Sequence, residues 1–241
     1  MDSNIIVAGT RKLLYEPITY EGVQLEELFS ESYLSKYEHN KDFRHAIFED
    51  LSYNAGAMST PFLFALTCNL AVPKKYANEI GGFDEALKKW GIEDIEFVYR
   101  LQKLGLKIVI NSKGEVLHQF HGLKEKNKVD TTQIQEVDYN TSVFVKKYPG
   151  FLGLSDLQVY ELFRSIAIHY KELQKVSNKP CKIIHFTNST DYEKIQREVL
   201  ENNISQDYTL IIYDKVGITD LDIWIQLYTT PSVIVKYYPK F

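Results

Sequence analysis

The stretch from Gly91 to Ile110 constrains this chain most. Ile92, Ile95, Val98, Leu101 and Leu104 recur at steps of three, and Phe97 widens the stripe. That spacing lines the apolar residues along one side of a helix starting near Gly91. Gly105 stands where a helix commonly ends in a left-handed residue, and Leu106–Ile110 (LKIVI) follows as a strand. Helix, glycine and buried strand in that order form a unit of a layered α/β sheet.

The rest of the chain is read around that unit. Asn4–Ala8 is a short β-branched strand ending at Gly9, and a strand so near the first residue implies a sheet begun elsewhere. Residues 22–50 lean to helix, with Leu25, Leu28, Phe29, Tyr33 and Tyr37 on one face. The apolar run Phe62–Val72, bounded by Pro61 and Pro73, is strand-like over part of its length. Pro73 suits the first turn of a helix through Tyr76 and Ile80 that Gly81–Gly82 stops. After Ser112–Gly114, a separate strand Glu115–Phe120 leads into a charged loop, Lys124–Asp130. Two helices, 133–148 and 155–176, flank Pro149–Gly150, the second carrying Leu157, Tyr160, Phe163, Ile166, Ala167 and Tyr170. Asn178-Lys179-Pro180 reads as a linker. Beyond it, KIIHF, 190–202, YTLIIY, 219–228 and SVIVKYY alternate as βαβαβ, without a Gly-rich phosphate loop. The expected layout is therefore 1–125, a helical segment 126–179, and a small α/β unit 180–241.

Composition narrows the function classes. A charge balance of 28 Lys plus Arg against 32 Asp plus Glu, net −4, leaves no footprint for nucleic acid or a polybasic membrane anchor. The longest apolar segment, 62–72, is broken by Thr67 and Asn69 and falls well short of the roughly 20 residues that span a bilayer. With no basic leader before an apolar stretch, the chain reads as cytoplasmic, and the sequons at Asn140, Asn188 and Asn203 carry little weight. Cys68 and Cys181 are far apart, which excludes a CxxC pair, and both are expected to be buried thiols. The 13% aromatic content fits either a Tyr- and Phe-rich core or ring platforms for a polyhydroxylated ligand.

Two constellations could carry chemistry. The first is Gly81-Gly82-Phe83-Asp84-Glu85 followed by Trp90-Gly91-Ile92-Glu93-Asp94. Acids in a helix's first turn are stabilised as anions by free N–H groups, while crowding Glu93 beside Asp94 raises the proton affinity of one. Such a carboxylate can accept a proton from a hydroxyl, and Trp90 could stack on a sugar ring. The alternative is an ordinary Gly-capped turn with acids at a helix start. The second is His118-Gln119-Phe120-His121, where three residues of strand would point the two rings to opposite faces, a poor chelating pair. One of them could still ligate a metal completed elsewhere. His39, His45, His169 and His185 have no partner spacing, and Asp220-Leu221-Asp222 reads as a helix N-terminus.

In order, TCNLAVPKKYANEIGGFDEALKKWGIEDIEFVYRLQKLGLKIV, then VLHQFHGLKEKNKVD, then FVKKYP, closely resemble the carboxyl half of a GT-A glycosyltransferase. The nearest resemblance is to family-2 enzymes with a galactosyltransferase-type C-terminal segment. This wider group includes bacterial chondroitin polymerases, β-1,4-galactosyltransferases and polypeptide GalNAc-transferases. The resemblance covers roughly residues 1–150. It implies an α/β fold: a partial GT-A mixed sheet with flanking helices, a helical linker and a small C-terminal α/β unit. By the same resemblance, Asp94 is the catalytic base that deprotonates the acceptor hydroxyl, with Glu93, Trp90 and Gly91 at the acceptor. Asn69 lies near donor or acceptor, and Gly81 and Gly82 bring backbone against the sugar. His118 matches the ligand of a divalent metal, Mn²⁺ or Mg²⁺, on the donor diphosphate. The implied reaction is metal-dependent, inverting transfer from a nucleotide-sugar, a UDP-sugar, to a saccharide or glycoconjugate acceptor in bacterial polysaccharide or glycoconjugate biosynthesis. The group's amino-terminal D-x-D half has no counterpart here, so metal binding should be weak in this chain alone. The missing half, or a partner chain, would complete the donor site. A second reading is a catalytically silent carbohydrate-binding or assembly module; retention of Glu93, Asp94 and His118 favours an active parent.

Overall fold

The computed structural model describes residues 4–121, 131–166, 180–188, 191–205 and 207–237. Its centre is β1 (Ile5–Leu14), which continues through Gly9 instead of ending there. On one edge β1 pairs antiparallel with β2 (His39–Lys41) at Lys12–Leu14 and with β3 (Leu70–Ala71) at Val7–Ala8. On the other it runs parallel to β4 (Lys107–His118) from Ile5 to Leu13. The sheet is therefore mixed, as the GT-A resemblance implies.

Gly9 is explained by its neighbours. The β1–β4 register jumps there, from Gly9↔Asn111 to Thr10↔Glu115, so Ser112–Gly114 bulge out of β4. Asn69 Nδ2 closes the gap by donating to Thr10 O at 2.8 Å and Gly114 O at 2.7 Å. A Cβ on Gly9 would lie 2.2 Å from both Asn69 Nδ2 and Gly114 O, so only glycine fits. The residues expected as two strands around Ser112–Gly114 are one bulged strand, because the partner β1 is continuous.

Two further expectations are corrected. Residues 22–50 form no long helix but α1 (Leu25–Leu28), α2 (Glu31–Leu34), β2 and α3 (Arg44–Asp50). Ser30 breaks the run by N-capping α2 through Tyr33 N–H, and Leu25 is 67% exposed while Tyr33 is buried, so the apolar spacing marks no continuous buried face. The 62–72 run is mostly two 3₁₀ turns, Pro61–Phe64 and Thr67–Asn69, with only Leu70–Ala71 extended. Phe62, Leu63 and Phe64 are all buried there, which neither face of a single strand could achieve.

The expected helices after Pro73 and Gly91 are α4 (Lys74–Glu79) and α5 (Glu93–Lys103). Gly105, at φ +90°, ends α5 with its N–H on Gln102 O and Leu106 N–H on Leu101 O, the paired bonds of a Schellman cap. Ile95, Val98 and Leu101 of α5 pack into one core with Ile6, Ala8, Ile108 and Ile110 of the sheet. Next come α6 (Thr131–Lys147) and α7 (Asp156–Arg164). They close the core with an aromatic cluster in which Phe144 meets Phe151 at 4.8 Å and Phe163 at 5.1 Å. Much of the aromatic content is thus core. The charged loop at Lys124–Asp130, the end of the expected 155–176 helix, His169 and most of the linker lie outside the described residues.

The last unit has a sheet and core of its own. β5 (Cys181–Phe186), β6 (Thr209–Asp214) and β7 (Val233–Tyr237) are parallel in that order, joined by α8 (Tyr192–Ser205) and α9 (Leu221–Thr229). Asp220 N-caps α9 by accepting from Ile223 N–H at 3.0 Å, as expected for the Asp220-Leu221-Asp222 motif. Asn54, fully buried, joins the units: its Nδ2 donates to Val235 O and its Oδ1 accepts from Val235 N–H, both at 3.1 Å. Gly56 lets the units approach, since a Cβ there would sit 2.4 Å from the Thr229 carbonyl carbon.

Candidate active site

The first-turn acids sit at an unusual helix entrance. Gly91 and Ile92 are both left-handed, at φ +87° and +75°, and Ile92 offers no side-chain cap to α5. A β-branched residue in that region is strained, and it is held because Ile92 is itself buried. Glu93, Asp94 and Glu96 all fall in the first turn of α5, where the helix end favours negative charge.

A second buried asparagine fixes this entrance. Asn140 of α6 donates from Nδ2 to Lys89 O at 2.7 Å and Gly91 O at 2.6 Å, and accepts from Lys89 N–H at 3.2 Å. The backbone on both sides of Trp90 is thereby anchored, while Trp90 itself stays 55% exposed. On the far face of α5, Glu96 is buried against Arg100, Lys147 and Tyr148, whose hydroxyl donates to Glu96 Oε1 at 2.7 Å. Arg100 Nη2 donates onward to Gly82 O at 2.7 Å and Lys147 Nζ to Asp84 Oδ2 at 2.6 Å. The Gly81–Gly82 turn, left-handed at +77° and +75°, is so tied to the same helix, with open space above both glycines.

The two adjacent acids differ. Burial raises the proton affinity of Glu93, the Asp94 charge adds to it, and Glu93 Oε2 is buried without a hydrogen-bond partner among the described residues. Asp94 accepts a hydrogen bond from the Thr67 hydroxyl at Oδ1. Thr67 leads through Cys68 to Arg11, whose Nη1 donates to Cys68 Sγ at 3.4 Å. Arg11 Nε also donates to Asp42 Oδ2 at 2.6 Å. Burial pushes Asp42 up, but Arg44 and Arg11 outweigh it and hold the carboxyl below its ordinary range.

His118, at the end of β4, lies beside Arg11 and Asp42. Burial, then the Arg11 and His121 charges, lower its pKa, so the imidazole is neutral at neutral pH. β4 stops at His118, so the opposite-face expectation for the His pair fails: the rings meet edge to face at 5.0 Å. A neutral imidazole suits a metal, yet the Arg11 guanidinium repels a cation. Among the described residues no three His, Cys, Asp or Glu side chains gather to hold one. The described residues do not by themselves fit a divalent-cation site.

Thus a line of contacts connects Asp94, Thr67, Cys68 and Arg11 with the surroundings of His118. Asn69 lies beside it, but its amide is committed to the β1–β4 bulge. Both cysteines are exposed, not buried as expected, because Cys68 falls on the outer side of a 3₁₀ turn and Cys181 at the first residue of an exposed strand end. The roles of Asn140, Thr67, Arg11 and Arg100 were not legible in the sequence, since each acts on partners distant along the chain.

Residues 58–122 match the family model described as the N-terminal domain of galactosyltransferase. That interval contains Thr67, Asn69, Gly81, Gly82, Trp90, Glu93, Asp94 and His118. The chain resembles GT-A glycosyltransferases. It is 29% identical over 112 residues to the validoxylamine A glucosyltransferase of Streptomyces hygroscopicus subsp. jinggangensis (strain 5008), covering 46% of this chain and 25% of that protein. The chondroitin synthase of Pasteurella multocida (strain Pm70) is 28% identical over 134 residues, 49% of this chain and 13% of that protein. A hyaluronan synthase of Pasteurella multocida is 42% identical over 64 residues, 27% of this chain and 6% of that protein. The match thus spans a quarter or less of each relative. No helix among the described residues is long and apolar enough to cross a membrane.

Proposed function

We propose that this chain supplies the acceptor side and catalytic base of a glycosyltransferase acting on a nucleotide-sugar, with a UDP-sugar as donor and a saccharide or glycoconjugate as acceptor. The observation carrying it is the pair at the start of α5: Asp94 with an accepting carboxylate at an uncapped helix end, beside exposed Trp90. In this reading the acceptor ring lies on Trp90, and Asp94 takes the proton from its hydroxyl as the oxygen attacks the anomeric carbon. The bond from that carbon to the diphosphate breaks and the configuration inverts. Glu93, whose proton affinity is raised, holds acceptor hydroxyls. Dependence on Mn²⁺ or Mg²⁺ would require ligands in addition to His118.

The test is sugar transfer by the protein and its Asp94→Asn variant. Loss of a general base should lower turnover by about 10²–10⁴ with folding intact; turnover close to that of the parent protein would remove Asp94 from the role. The alternative is a silent carbohydrate-binding module in which exposed Trp90 holds a sugar ring without transfer. Metal-dependent binding of UDP or GDP in calorimetry favours the enzyme; acceptor binding fits both readings, so turnover that falls in Asp94→Asn is what separates them.

A further inference from the structure

Where the two sheets meet lies an open-sided cavity of about 810 Å³ that none of Trp90, Glu93, Asp94 or His118 lines. It opens beyond the carboxyl ends of β6 and β7, at Asp214 and Tyr237, where open parallel sheets commonly hold ligands. Ligand pockets usually measure about 300–1,000 Å³, so the size suits more than a water cluster.

Its walls are aromatic and carry two lysines and two acids. Trp224 and Tyr228 of α9 stack on each other at 4.5 Å and 20°, with Tyr53 and Tyr237 on the lining as well. Burial pushes the Tyr228 phenol up to about 12, so it remains a neutral hydroxyl. The acids on the lining are already engaged. Glu49 pairs with Lys41 at 2.7 Å, and Asp214 accepts from the N–H groups of Val216, Gly217 and Ile218 at 2.8–3.0 Å. Lys113, on the β4 bulge, and Lys236, on β7, pair with no carboxylate among the described residues. Tyr53 is held in this wall at a cost. Ser52 and Tyr53 are left-handed at +50° and +59°, a conformation costing roughly 1–2 kcal/mol for each such residue. Strain of this kind persists where the surroundings impose it, and it concentrates at ligand clamps.

We propose that this seam cavity is a second saccharide site, which takes an anionic sugar chain with its rings on the aromatic wall and its acidic groups on Lys113 and Lys236. The proposal leans on the sugar-transfer reading only for the ligand's class. The chain has two tryptophans, so Trp90→Phe leaves Trp224 as the sole reporter. Hexagalacturonate or a hyaluronan hexasaccharide should shift Trp224 emission saturably. Lys113→Gln, at an exposed position, with Lys236→Gln, at a half-buried one, should weaken that binding about tenfold or more, consistent with losing charge-assisted contacts. No shift with either acidic glycan, an equal shift with neutral maltohexaose or with UDP, or undiminished binding by the lysine variant would each overturn the proposal. Since the readout is Trp224 emission and not turnover, its failure would leave the role of Asp94 untouched.

Discussion

Gly91–Ile92 and Ser52–Tyr53 both hold consecutive residues left-handed, and each turn is tied down by an asparagine with no exposed surface. Their clamps differ in origin. At Gly91–Ile92 the asparagine comes from α6, so the loop bearing Trp90 is positioned by a tertiary contact. At Ser52–Tyr53 the asparagine is the next residue, Asn54, which bonds Leu51 O and Ser52 O, both at 2.8 Å, before reaching across to β7. One clamp aims chemistry; the other couples two folding units. A buried amide is suited to both tasks because it matches a peptide group donor for acceptor.

Removing the clamps should give the largest effects and separate these roles. Asn140→Ala leaves the Lys89 and Gly91 carbonyls unpaired, and Asn54→Ala orphans groups on its own turn and on Val235. With roughly 1–3 kcal/mol for each buried orphan, partly relieved by water, each variant should lose about 3 kcal/mol in chemical denaturation. Only Asn140→Ala should also abolish the response of Trp90 to acceptor sugar. Only Asn54→Ala should split unfolding in two, with Trp90 and Trp224 reporting different midpoints. A single coincident transition in that variant would mean the seam is held together by something other than Asn54.

The contrast also explains what was legible in the sequence. α5 and its Gly105 cap could be read because helix periodicity and C-terminal glycine are local signals, and the parallel β5–β7 unit because strand and helix patterns alternate cleanly. Residues 22–50 misled because Leu25 and Phe29 are exposed while Tyr33 is buried, so the helical spacing there marks no single packed face. The acids and His118 were visible as motif residues. Asn140 was visible only as a sequon, since its partners lie 49 and 51 positions away. Likewise the meeting of His118 with His121 depends on where β4 stops, which pairing with β1 decides.

Smaller changes at the two turns should have opposite signs. Gly91→Ala forces an L-residue to φ +87° and puts its Cβ 3.1 Å from Val137 Cγ2, so it should destabilise by about 1–2 kcal/mol. Ser52→Gly relieves the same kind of strain at +50° and should stabilise by about 0.5–1 kcal/mol, after the greater flexibility of glycine in the unfolded chain is subtracted. Thermal melts of the two variants decide this. If both lower the midpoint, Ser52 is held by side-chain contacts that outweigh its backbone strain.

The finest distinction lies between two acids of the Gly81–Asp94 region, and pH reads it. Hydrogen bonding to Lys147 lowers the Asp84 pKa, so that acid contributes stability above its ordinary value of 3.8, and this is lost as pH falls through its lower folded value. Burial, followed by the Asp94 charge, raises the Glu93 pKa, so the folded state binds a proton that the unfolded chain has already released. The penalty is complete above the folded pKa, shrinks as pH falls through it, and vanishes below the ordinary value of 4.5. Glu93→Gln should therefore be more stable than the parent at neutral pH, with the gap closing as the pH falls through the raised folded pKa and gone below pH 4.5. Asp84→Asn should show the reverse: less stable at neutral pH and converging with the parent only in stronger acid. Equal stability of Glu93→Gln and the parent at neutral pH would mean that water reaches Oε2. Glu93 would then carry its charge freely at the helix end, and the distinction drawn between it and its neighbours would be lost.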